Sequence, residues 1–129
     1  MIVVDTSAFV AIFRQEPDAD LLSRRLSLAE SRTMSAATYL ECVMVVSRYP
    51  EGRAALDDWL LRRGIAIEPV DHTLARAAAD AFERYGKGRH PAGLNFGDCF
   101  SYALAQARAA PLLFKGDDFA RTDVRRPPP

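Results

Sequence analysis

The sequence predicts an α/β protein, a three-layer α/β/α sandwich around a mainly parallel central sheet. Three observations lead there. Short β-branched runs alternate with helical patterns along the whole chain. The first run, "MIVVD", has the unbroken apolar character of a strand covered on both faces. No repeat, linker or shift of composition divides the 129 residues, a length that suits one domain of roughly 100–200 residues.

"MIVVD" is the first strand and ends at Asp5. "TSAFVAIFR" follows at once as a helix, with Thr6 or Ser7 as its candidate cap. In "EPDADLLSRRLSLAES" Leu22 and Leu26 stand four apart, which predicts a second helix. "RTMS" is a brief strand, and "SAATYLECVMVVSRY" is a helix capped by Ser35. "EGRAALDDWLLRRG" is helical up to Gly64, where a left-handed stop suits glycine. "IAIEPV" has the alternation and β-branching of a strand, and "DHTLARAAADAFERYG" is an alanine-rich helix closing at Gly86. "KGRHPAG" is a basic loop punctuated by glycine and proline. "LNFGDCFSYALA" opens as a turn and continues as an apolar helix, and "PLLFKGDD" is a short strand that leaves through glycine into two acids. The last residues, about 124–129 ("VRRPPP"), are expected to fray.

Composition excludes several function classes. Hydrophobic residues make up 49% and charged residues 26% of the chain, which is ordinary for a globular protein and unlike a disordered one. Lysine plus arginine equals aspartate plus glutamate at 17 each, so no global field attracts nucleic acid and a polyanion must be met locally. Cys42 and Cys99 have no zinc spacing and read as small core residues. The N-terminus lacks a basic leader and carries Asp5 early, so the expected compartment is the cytoplasm. No run approaches the roughly 20 apolar residues of a membrane span.

Four acids occupy telling places. Ligands of a parallel sheet gather at the carboxyl ends of its strands. Asp5 ends the first strand, and Asp117 follows "LLF" through Lys115 and Gly116, so both belong to that rim. Asp98 lies in the first turn of its helix, where unpaired N–H groups and the helix dipole favour negative charge. Glu41 is expected on or beside a buried stripe of Ala37, Leu40 and Met44, where a carboxylate requires a partner. Four carboxylates at one rim repel one another unless a cation neutralises them. Hard oxygen donors without clustered His or Cys point to Mg²⁺ or Mn²⁺ rather than zinc. Such an ion activates water and stabilises charge on an attacked phosphate, which is the chemistry of phosphodiester hydrolysis. Thr6 and Ser7 offer hydroxyls to support Asp5 or the site's water, and Asn95 can fix the turn before Asp98. Lys87, Arg89 and His90 form a candidate phosphate-steering patch, and His72 and His90 are both expected at the surface.

These residues resemble the PIN-domain ribonucleases, and among them the VapC toxins of bacterial toxin–antitoxin pairs. The likeness runs through "VVDTSAFVAIF", Glu41 in "YLECVMV", "GRHPAGLNFGDCFSYALA" and "LLFKGDDFARTD", in that order and nearly the whole length of the chain. The resemblance implies that Asp5, Glu41, Asp98 and Asp117 hold one or two Mg²⁺ or Mn²⁺ ions, with Asp5 and Asp98 the firmest direct ligands. Asp118 is expected as a turn or cap residue. The resemblance further implies an RNA substrate, a homodimer, silencing by a VapB-like cognate antitoxin whose C-terminal segment fills the active-site groove, contact with operator DNA only through that antitoxin, and no membrane association.

Two other enzymes and one binding module compete with this reading. A haloacid-dehalogenase-type phosphatase requires DxD after its first strand, where this chain has "DTS". A phosphoacceptor receiver requires an early acidic pair and an aspartate on a later strand, and neither is in place. The third is a PIN-like module acting within an antitoxin complex on operator DNA with little turnover, which gives no reason for four mutually repelling acids.

Overall fold

The apolar run at the N-terminus is strand β1 (Ile2–Val4), and all three of its side chains are buried. The computed structural model describes residues 1–129. β1 pairs in parallel with β2 (Arg32–Ser35) on one side and with β4 (Leu112–Leu113) on the other, while β3 (Ile65–Glu68) extends the sheet beyond β2. The order is therefore β3-β2-β1-β4 with every strand parallel. The register sets Val3 opposite Thr33 and Leu112, and Val4 opposite Leu113.

Successive strand side chains point to opposite faces, so β1 feeds two cores. Val3 packs with Leu112 beneath α5 (His72–Tyr85) and α6 (Phe96–Ala107), whose contribution includes Leu74, Ala78, Tyr85 and Leu104. Ile2 and Val4 face the other way. They meet Met34, Ile65 and Leu113 under α1 (Thr6–Phe13), α2 (Ala19–Leu28), α3 (Ala36–Val46) and α4 (Gly52–Arg63). Leu22 and Leu26, the spaced pair of α2, are both in this second core. Burying each such side chain contributes about 1.5–3 kcal/mol. Two helices on one face and four on the other give the predicted three layers.

Local chemistry sets the boundaries as expected at two ends. Ser35 caps α3 by accepting from the Thr38 N–H at 3.0 Å. Gly64 ends α4 in the left-handed region, with φ of 62°. Three expectations require correction. α1 is capped by Asp5 rather than by Thr6 or Ser7, because the aspartate oxygen already reaches the Ser7 N–H. "PLLFKGDD" yields only two strand residues, and the turn at Gly116 (φ 105°) leads into a single 3₁₀ turn, Phe119–Arg121.

The third correction concerns residues 124–129. The Arg125 carbonyl accepts from the Leu112 N–H at 2.9 Å, the Arg126 guanidinium lies 5.0 Å from the centre of the Phe114 ring, and Pro127 is buried. Backbone pairing and a cation–π contact dock a segment whose composition suggested fraying. Deleting residues 125–129 is predicted to cost about 1–2 kcal/mol and lower the melting temperature by about 3–8 °C. A thermal melt unchanged by the deletion would contradict the docking.

Candidate active site

A parallel sheet opens a crevice at its carboxyl rim where successive connections part in opposite directions. Here the chain leaves β1 toward β2, while β4 lies on the other flank of β1. Asp5 stands at this parting. It is 2% exposed, so both carboxylate oxygens must be satisfied from within the protein. Oδ2 accepts from the Ser7 N–H at 3.0 Å and from the Ser7 hydroxyl at 2.7 Å. Oδ1 accepts from the Ser101 hydroxyl of α6 at 2.5 Å. The Ser7 oxygen in turn accepts from the Lys115 N–H at 3.0 Å, which ties the loop after β4 to the same point.

Ser101 has no place in the sequence reading. The signal for it is a lone hydroxyl in the apolar run "CFSYALA", three residues after Asp98 and therefore on a neighbouring part of the helix face. Behind it, Thr38 Oγ1 lies 3.2 Å from Ser101 Oγ and accepts from Ser35 Oγ at 3.0 Å. All three hydroxyls are buried. A row of hydrogen bonds thus runs from Asp5 to the cap of α3.

Thr6 turns to α3 and donates its hydroxyl proton to Glu41 Oε1. Glu41 is half-buried, and that burial raises its pKa; the Thr6 hydrogen bond opposes the rise and the charge of Asp5 adds to it. The stripe expected around Glu41 is not the buried one. α3 buries Thr38, Cys42 and Val46, whereas Leu40 and Met44 are 58% and 67% exposed. The helix is apolar on nearly every side, so spacing alone does not select the core face. Ala37, Leu40 and Met44 instead form an open groove with Phe96 and Phe100 beside Glu41.

Asn95 and Asp98 form a reciprocal capping box at the start of α6. The Asp98 N–H donates to Asn95 Oδ1 at 2.9 Å, and the Asn95 N–H donates to Asp98 Oδ2 at 3.1 Å. Asn95 is thus a helix cap that orients the acid. Burial pushes the Asp98 carboxyl up to about 7; the Asn95 N–H opposes this, and repulsion from Asp5, Asp118 and Glu41 adds to it. Asp118 is thus among the acids whose charge reaches Asp98. Asp117 and Asp118 are both exposed at the turn after β4, and neither lines the cleft that holds the other three acids.

Asp5, Glu41 and Asp98 share a cleft of about 350 Å³ with Thr6, Ser7 and the ion-paired Glu16 and Lys115. None of the three acids has a basic partner, and the ammonium of Lys115 is held by Glu16 at 2.5 Å and Asp18 at 3.2 Å. The acids do not stand as the closed quartet the sequence suggests: no three His, Cys, Asp or Glu side chains come close enough to form an ion cage, and their like charges repel. The all-oxygen donor set and its uncompensated charge fit a hard divalent cation. The basic loop does not line this cleft. Arg89 lies 5.2 Å from the centre of the Phe82 ring, and His90 is half-buried, meeting Tyr85 edge-on and accepting the Ala92 N–H at Nδ1. His72, the first residue of α5, is exposed as expected, whereas His90, expected at the surface too, is half-buried by its packing on Tyr85.

Comparison with known proteins identifies the family. The PIN domain family matches residues 2–125. Ribonuclease VapC of Mycolicibacterium smegmatis is 56% identical over 124 residues, which cover 95% of this chain and 96% of that protein. The chain belongs to the PIN-domain family, among its VapC ribonucleases. Two solved PIN-like structures share the fold at low identity. The Mycobacterium tuberculosis toxin VapC20, described as cleaving the sarcin-ricin loop, superposes with a TM-score of 0.76 at 21% identity, over 99% of this chain and 100% of that one. A toxin–antitoxin complex from Klebsiella pneumoniae gives 0.75 at 17% identity, over 95% and 93%.

Two predictions test this PIN-domain site. The folded protein holds the Asp98 proton more tightly than the unfolded chain, whose ordinary value is 3.8. This contribution to stability is complete below that value and is lost as pH rises toward about 7. In EDTA at pH 8, Asp98→Asn is therefore expected to stabilise the fold by about 1–2 kcal/mol, because the amide oxygen can keep the Asn95 bond. A lower melting temperature than the parent under those conditions would refute the repulsion. Ser101→Ala, which strips a donor from the buried Asp5, should cost about 1–3 kcal/mol in a denaturant titration, and an unchanged midpoint would contradict the assigned bond.

Proposed function

We propose that the chain is a Mg²⁺- or Mn²⁺-dependent endoribonuclease, the toxin of a type II toxin–antitoxin pair, and that it hydrolyses RNA phosphodiester bonds. The observation that carries this reading is the set of carboxylates on Asp5, Glu41 and Asp98, gathered in one cleft without a basic partner. Asp5 and Asp98 would hold the ion directly, and Glu41 directly or through water. Asp117 is the fourth acid implied by family resemblance, and its neighbour Asp118, whose charge acts on Asp98, is a second candidate for that place. When bound, the ion supplies Lewis-acid stabilisation of charge on the attacked phosphate and brings water into an ionisable range.

The chain's own residues supply position. Ser7 and Ser101 fix both oxygens of Asp5, Thr6 fixes Glu41, and Asn95 fixes Asp98. Proton and ion compete for Asp98, so ion binding should weaken below about pH 7. Lys87 and Arg89 would act on the RNA backbone through long-range attraction, since Arg89 is engaged with Phe82, while His90, held by Tyr85 and the Ala92 N–H, would shape the loop. The Klebsiella complex supports a protein antitoxin as partner. The exposed Leu40, Met44 and Phe96 supply an apolar wall beside the acids that suits an antitoxin segment. A homodimer, and operator DNA reached only through the antitoxin, complete the proposal.

Purified protein is expected to cleave RNA with Mg²⁺, to stop in EDTA, and to lose at least about a hundredfold in rate on Asp98→Asn. Cleavage that survives both chelation and the substitution, in a preparation free of other nucleases, would exclude the mechanism.

A further inference from the structure

Gly97 sits in the first turn of α6, between the cap Asn95 and the acid Asp98. Nothing in its backbone requires glycine. Its φ is not positive, unlike those of Gly64, Gly88, Gly93 and Gly116, and glycine is a poor helix former. What a side chain at position 97 would meet is the carboxyl group of Glu41. A Cβ built there lies 2.6 Å from Glu41 Cδ, 2.7 Å from Oε1 and closer still to Oε2. Real Cβ atoms do not approach other atoms to such distances, and all three nearest atoms belong to this one group. The same carboxylate takes the Thr6 hydroxyl at Oε1.

We propose that Gly97 is a positioning residue for the acid cluster: its missing side chain is the socket that lets the Glu41 carboxylate lie against the first turn of α6, beside Asp98. The inference deepens the metal-dependent nuclease reading and rests on it. Glu41 comes from α3 and Asp98 from α6, and each is held by its own partner, Thr6 or Asn95. Gly97 sets how closely the two helices can bring these acids together. The atoms in the way are the far end of a flexible side chain, so a methyl group at position 97 displaces the carboxylate and leaves the backbone in place. Stability and ion binding should therefore respond with opposite signs.

The test compares the full-length parent with Gly97→Ala, Glu41→Ala and the double variant, using thermal melts in EDTA and calorimetric titration with Mn²⁺. Gly97→Ala is expected to melt at the parent temperature or about 1–3 °C above it, through better helix propensity. Its Mn²⁺ affinity should fall about tenfold or more. In the Glu41→Ala background the same substitution should leave Mn²⁺ affinity unchanged. A parent-like affinity for Gly97→Ala, a melting temperature several degrees lower, or an equal loss of affinity in both backgrounds would each overturn the socket. If Glu41→Ala binds Mn²⁺ as the parent does, Glu41 is outside the ion site, and if the parent binds none the metal reading itself falls. Those two results are separable from a failure of Gly97 alone.

Discussion

Burying a carboxylate at the centre of a sheet rim obliges the surrounding elements to come to it. Asp5 draws α1 through Ser7, α6 through Ser101 and the loop after β4 through the Ser7–Lys115 bond. An unpaired buried charge costs several kcal/mol, so each of these contacts is a condition on the fold as much as on the site. The helices of both layers and the edge strand are thus aligned on one side chain. The first five residues supply the central strand and the group that orders the rest.

The same rim holds charge that works against folding. Burial and mutual repulsion raise the carboxyl groups of Glu41 and Asp98, and no lysine or arginine relieves them. A protein selected for stability alone would place neutral caps and apolar side chains there. Keeping the acids is a stability cost that an ion would recover on binding, since a ligand that binds only the folded state stabilises it. Thr6, Asn95 and Ser101 hold the acids in place without neutralising them. That distinction separates this cluster from Glu68, whose pKa is lowered by the Arg108 guanidinium and which behaves as an ordinary surface ion pair.

Much of the fold was legible in local patterns. "MIVVD" signalled a doubly covered strand, the Leu22/Leu26 spacing a helix, and Ser35 and Gly64 their boundaries. Asp5, Glu41 and Asp98 were legible because charge at strand ends and helix starts is conspicuous, and the structure brings all three into one cleft. The failures share a cause: they depend on contacts between residues distant in sequence. α3 is apolar on several faces, and only its neighbours decide that Cys42 is inside and Met44 outside. Ser101 is unremarkable until Asp5, 96 residues away, lies across from it. The docked tail depends on a carbonyl meeting a strand edge, which composition does not encode.

That docked tail has a bearing on association. β4 lies at the margin of the sheet, and a margin with free N–H and C=O groups is a template for pairing with another chain. The Arg125 carbonyl already occupies the outward N–H of Leu112, so a foreign strand would first have to displace it. Beyond it, Pro127, Pro128 and Pro129 have no N–H to offer. The docked tail therefore closes the β4 margin to strand pairing, and it does so from the amino end of the strands, where Pro127 and Pro128 lie beside Met1 and Pro111 on the rim opposite the acids.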